Sequence, residues 1–180
     1  MLPFLVAAVI VAGVCAFSDW RTGVIPDRVT VPALLLAPVA YLVRGVVTHA
    51  GTDAAVTEAG WSLGGLIVCA AIPLFLYRQS AIGFGDVKLF AALGALLQPS
   101  IGLEAQTYGF VAAALLAPAR LAYEGKLLAT LKNTFALLVN PFMPKEKRRT
   151  IDQEMMSWFR LGPAVFVGTV LAALMHWRGL

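Results

Sequence analysis

Leu2-Pro3-Phe4-Leu5-Val6-Ala7-Ala8-Val9-Ile10-Val11-Ala12-Gly13-Val14-Cys15-Ala16-Phe17 carries no charge, and Ser18-Asp19-Trp20-Arg21 follows it at once. A helical span of a bilayer takes about 20 mainly apolar residues, so this stretch is expected to cross a membrane. No basic region precedes it, and Ser18-Asp19-Trp20 makes a poor small-residue cleavage site. The run is therefore expected to be a retained first span rather than a signal peptide. A second aspartate lies at another such edge, in Ala81-Ile82-Gly83-Phe84-Gly85-Asp86-Val87-Lys88. A carboxylate at a membrane boundary is costly to keep and marks a functional position by default.

Composition extends this reading to all 180 residues. Hydrophobic residues make up 59% and charged residues 13%, against about 25% charged in soluble globules. The mean hydropathy is +0.80. The expected class is an all-α integral membrane protein, a single polytopic domain over residues 1–180. Six apolar segments can be marked, at about 2–18, 29–47, 61–77, 87–98, 105–119 and 161–177. The fourth is short; it either borrows from Ser80–Gly85 or is sheltered by neighbours instead of lipid. Pro32 and Pro38 in the second are tolerable, because adjacent helices can satisfy the freed backbone groups.

The loops divide by charge. Segments 18–28, 77–88 and 120–160 hold twelve of the 14 basic residues, whereas 48–60 and 99–104 hold none. Lys and Arg favour the cytoplasmic side, so the N-terminus is expected outside and the three basic segments inside. By the same parity Asp19 and Asp86 share the cytoplasmic boundary. The net charge of +4 is thereby explained by topology, and no nucleic-acid partner is expected. Leu127–Leu138 is apolar but interrupted, and Lys145–Arg149 is a basic cluster. That combination suggests a cytoplasmic helix lying on the anionic leaflet. Trp20, Trp61, Trp158 and Trp177 lie near span ends, as interfacial anchors do. Cys15 and Cys69 stand alone inside apolar runs, without a C-x-x-C, and are expected as small buried hydrophobes.

Two carboxylates within a few ångströms cannot both ionise easily, so one holds a proton. The ionised member can take a proton from water, which then attacks a carbonyl. The protonated member can bond the carbonyl oxygen and deliver its proton to the leaving nitrogen. Neither a metal nor a cofactor is needed. No H-E-x-x-H or G-x-S-x-G is present, and both histidines, His49 and His176, fall on the outer side, which leaves zinc or Ser/His hydrolysis unsupported. Gly83 and Gly85 are expected to permit unusual backbone conformations and close approach by a peptide. Gly64-Gly65 and Gly94 are expected to ease helix contact. Other roles stand beside the catalytic ones. Asp19 could pair with Arg21, and Asp86 could cap the fourth helix. Lys88 could pair with Asp86, contact substrate, or snorkel to the interface.

Asp19-Trp20-Arg21-Thr22-Gly23-Val24-Ile25-Pro26-Asp27 resembles the Asp-x-x-x-x-x-Ile-Pro-Asn segment of type IV prepilin peptidases, and Gly83-Phe84-Gly85-Asp86-Val87-Lys88 resembles their Gly-x-Gly-Asp-Val-Lys motif. Arg160-Leu161-Gly162-Pro163-Ala164 is similar to the entry to their last helix. The resemblance implies a membrane aspartic peptidase that cuts basic leaders from prepilins or pseudopilins at the cytoplasmic face of a bacterial inner membrane. Asp19 and Asp86 match its catalytic positions. Gly83, Gly85 and Lys88 would shape the site or bind substrate. Asp27 stands where the family has Asn, and Leu161 replaces the first proline of the last motif. The cysteine-rich insertion of larger, N-methylating relatives is missing. That implies the short Flp/Tad-type form, with cleavage alone. Presenilin-type proteases share Gly-x-Gly-Asp, but they pair it with Tyr-Asp, where this chain has Ser18-Asp19. A proton-coupled transporter would place its acids deep within spans.

Overall fold

The computed structural model describes residues 1–49, 52–79, 81–123 and 160–177. The chain divides into two units, Met1–Ala113 with Arg160–Leu180, and Ala114–Phe159. The expected surface helix at 127–138 and the cluster at 145–149 lie outside the described residues. Of the second unit, residues 114–123 are described, as the end of a helix. All contacts below belong to the first unit.

Five helices are described: α1 Leu2–Thr22, α2 Asp27–His49, α3 Thr52–Arg78, α4 Phe84–Tyr123 and α5 Gly162–Trp177. The first four are long and apolar enough to cross a bilayer, and α5 is a shorter apolar helix. This is an all-α architecture of the membrane type. α1 begins with Pro in its first turn, where the missing N–H costs nothing. It stops at Gly23, whose φ of 71° and ψ of 15° form a left-handed cap that returns its N–H to the Asp19 carbonyl at 2.9 Å. Glycine enters that conformation without a Cβ penalty.

α4 is two limbs rather than one rod. Gln98 has φ 61° and ψ 172°, and the chain reverses there. The Phe90 and Phe110 ring centroids are 5.2 Å apart, whereas twenty residues of unbroken helix would separate them by about 30 Å. Pro99 has no N–H for the Ala95 carbonyl, and Ser62 Oγ bonds that oxygen at 2.6 Å. The Leu96 carbonyl, also freed by the break, accepts from the Tyr41 hydroxyl at 2.8 Å. Side chains from α3 and α2 thus replace the bonds that the turn removes. The six apolar segments therefore map onto α1, α2, α3, the two limbs of α4, and α5.

Two expectations about loops are corrected. Segment 48–60 is largely helical, because α3 already starts at Thr52. Hydropathy marks where a helix enters an apolar phase, not where it begins. A Cβ on Gly45 would overlap the Ala55 Cα, so α2 and α3 stay paired beyond the apolar section. Segment 99–104 is likewise helical, since the second limb resumes immediately after Gln98.

The fourth segment begins at Phe84, and so does take up residues from the preceding stretch. Its first limb, 84–97, is the centre of the bundle: every residue from Leu89 to Leu97 is buried. A helix apolar on all sides is one surrounded by protein. Gly65 and Gly94 meet there, because a Cβ on either would overlap the other's carbonyl oxygen. Gly64 makes only ordinary contact with Pro99, at 3.7 Å from its would-be Cβ. Outward positions such as Ile10, Leu35, Leu36, Ile67 and Phe75 are large, apolar and exposed, as lipid-facing side chains are. Cys15 and Cys69 are buried and unpaired with each other.

Candidate active site

The buried stripe Ala8, Ala12, Cys15, Ala16 and Asp19 runs down one face of α1, at the three- and four-residue spacing that aligns side chains on a helix. Asp19 is thus turned inward, only 6% exposed, instead of snorkelling outward. Its Oδ2 accepts the Gly162 N–H at 2.9 Å. Gly162 is the first residue of α5, so an unpaired helix-end donor meets a carboxylate, an arrangement that the helix dipole favours. A Cβ at Gly162 would stand 2.8 Å from that same oxygen and 3.2 Å from the Ala16 Cα. Arg160 donates to the Trp20 carbonyl and ties the entry of α5 to the end of α1. Arg21 does not pair with Asp19; its guanidinium lies 4.7 Å from the Phe17 ring centroid.

Asp86 is half-buried in the first turn of α4. Its Oδ2 accepts the Gly83 N–H at 3.1 Å, while its own N–H donates to the Gly83 carbonyl at 3.2 Å. Asp86 therefore reaches back from the third helical position, like the acidic member of a capping box, and is not itself the residue preceding the helix. Each aspartate thus holds one backbone N–H from a glycine at a helix start.

The turn between α1 and α2 forms the facing wall. Ser18 Oγ bonds the Val24 carbonyl at 2.9 Å, and the Val24 N–H bonds Thr22 Oγ1 at 3.3 Å. Ile25 is buried, and a Cβ on Gly85 would lie 3.1 Å from the Ile25 Cβ. Gly85 is small because the two segments press together there. Neither Gly83 nor Gly85 adopts a positive φ, so the expectation of unusual backbone conformations is overturned for both. The position that needs such freedom is Gly23.

These pieces enclose a cavity of about 690 Å³ whose lining includes Asp19, Asp86, Asp27, Arg28 and Lys88. Asp19 and Asp86 interact electrostatically within it. Lys88 does not pair with Asp86. Its Nζ stands 2.7 Å from both Asp27 carboxylate oxygens and 5.0 Å from the Phe84 ring centroid. Two partnerships were not evident from sequence: Gly162 with Asp19, and Lys88 with Asp27. They span 143 and 61 residues, and no local pattern encodes either. Gly162-Pro163 signalled a helix start, but not which side chain that start would meet.

Two carboxylates on one solvent-reachable cavity, one buried and one half-buried, have the makings of an acid–base pair. Comparison with known proteins bears on what the pair serves. No curated protein and no solved structure matches the chain. The model of the type IV leader peptidase family matches residues 6–118. That match takes in α1 from Val6, all of α2 and α3, α4 as far as Pro118 and both aspartates, and stops before Gly162. Covering more than half of the sequence, it shows that the chain belongs to the type IV leader peptidase family.

Proposed function

We propose that the chain is a membrane-embedded aspartic endopeptidase, with Asp19 and Asp86 as its catalytic pair, that removes the basic leader from prepilins of the Flp/Tad type. The observation that carries the reading is the convergence of Asp19 and Asp86 on one cavity from segments 67 residues apart. One carboxylate takes a proton from water as that water attacks the scissile carbonyl. The other, protonated, bonds the carbonyl oxygen and then supplies the proton that the leaving nitrogen needs. The backbone donors of Gly83 and Gly162 fix the carboxylate orientations, which favours a defined attack geometry. The site would face the cytoplasm of a bacterial inner membrane, where the leader meets the apolar helix of the prepilin at the bilayer surface.

The test is co-expression with a Flp-type prepilin, following leader loss on a gel. Asp19→Asn and Asp86→Asn should each slow processing by at least about a hundredfold, while both variants remain in the membrane fraction. Full processing by either variant would remove the two-carboxylate mechanism.

A further inference from the structure

Asp27 is the exposed carboxylate of the cavity. Its side chain is 61% accessible, against 27% for that of Lys88. Asp19 is nearly inaccessible, and Asp86 is half-buried and held by Gly83. Asp27 opens α2, where the helix dipole favours an anion. Lys88 reaches it from the first turns of α4, so the ion pair joins the two segments that carry the cavity walls. Both Nζ–Oδ distances are 2.7 Å, yet an accessible pair of this kind is worth only a few-fold in an equilibrium constant. It can therefore exchange. Asp27 and Lys88 line the same cavity as Asp19 and Asp86, so a cationic side chain on a peptide bound there would find a carboxylate already arranged to receive an ammonium or guanidinium group.

We propose that Asp27 is a specificity residue that receives a Lys or Arg side chain on the leader side of the scissile bond, and that Lys88 is a tethered competitor occupying its place until substrate arrives. The inference rests on the peptidase reading above. Substrate binding exchanges one ion pair for another, so no bond is made or broken and Asp27 is not a catalytic residue. A neutral leader cannot displace Lys88 and is discriminated against for that reason.

The test uses the full chain in lipid nanodiscs and two prepilin peptides that differ only in Lys or Gln at one leader position, two residues before the scissile bond. The readout is the ratio of kcat/KM for the Lys peptide over the Gln peptide. In Asp27→Asn this ratio should fall about fivefold, through KM. In Lys88→Met it should rise, because Asp27 is then free of its competitor. A salt bridge that merely braces the walls predicts no change in the ratio in either variant, since both peptides would suffer alike. An unchanged ratio in Asp27→Asn, or a ratio that fails to rise in Lys88→Met, overturns the proposal. If the unsubstituted chain cuts neither peptide, the peptidase reading falls and this proposal falls with it. Cleavage with a ratio insensitive to residue 27 removes the specificity role alone.

Discussion

Gly162 has no room for a side chain. A Cβ there would stand 2.8 Å from Asp19 Oδ2 and 2.9 Å from the Asp19 Cβ, on the oxygen that the Gly162 N–H now holds. Gly162→Ala must therefore push α5 from α1 or turn the carboxylate aside. Overpacking of this sort costs about 1–3 kcal/mol, and a misplacement near 1 Å can lower a rate roughly a hundredfold. We expect Gly162→Ala to show both a lower Tm and a loss of leader cleavage of about that size. Gly60→Ala is the matched control. It lies on α3 with nothing within 4 Å of its would-be Cβ, and alanine favours the helix, so its Tm should hold or rise. Cleavage by Gly162→Ala at the unsubstituted rate would show that Asp19 does not depend on this contact.

At the scale of elements, α4 carries the least local logic and the most consequence. The apolar runs at 87–98 and 105–119 announce two helices, but nothing in Leu97-Gln98-Pro99-Ser100 says that the reversal takes one residue. It does so because Gln98 accepts φ 61° and ψ 172°, a region that glycine alone enters easily, and a non-glycine residue there costs about 1–3 kcal/mol. Gln98→Gly should relieve part of this, raising the Tm by the equivalent of about 1 kcal/mol. Thermal unfolding in detergent, read by circular dichroism, would check it; a lower Tm would mean that the glutamine side chain repays the strain. The same element marks how far the sequence was legible. The helices and both aspartates follow from apolar periods and boundary charges. The cap at Gly23, the replacement bonds from Ser62 and Tyr41, and the Asp27–Lys88 pair depend on which helices become neighbours, and one-dimensional spacing does not record that. The early start of α3 was hidden for a related reason. Thr52–Gly60 is polar enough to read as a loop, but it is held helical against α2 by the Gly45–Ala55 approach.

For the molecule as a whole, the ends of the helices sort most charges among the described residues, Arg44 beside Met1 being an exception. α1 and α3 finish, and α2, α4 and α5 begin, at the end that holds Asp19 and Asp86. Arg21, Arg28, Arg78, Lys88 and Arg160 are all at or beside those termini. The opposite end carries Asp53 in the first turn of α3, and Glu104 with His176 at 3.6 Å. If the basic end faces the cytoplasm, as Lys and Arg positions ordinarily do, a leader still attached to its cytoplasmic precursor reaches the cavity without crossing the bilayer. Thiol labelling can test that orientation without removing the native cysteines, because Cys15 and Cys69 are both buried. Asp53→Cys places a thiol on an exposed residue at the acidic end, and Val24→Cys places one on a position 62% exposed at the site end. In intact cells a membrane-impermeant maleimide should label Asp53→Cys and spare Val24→Cys, and inverted vesicles should reverse the pattern. Labelling of Val24→Cys from outside would put the aspartates on the far side of the membrane from any uncleaved leader, and the proposed substrate could then not reach them.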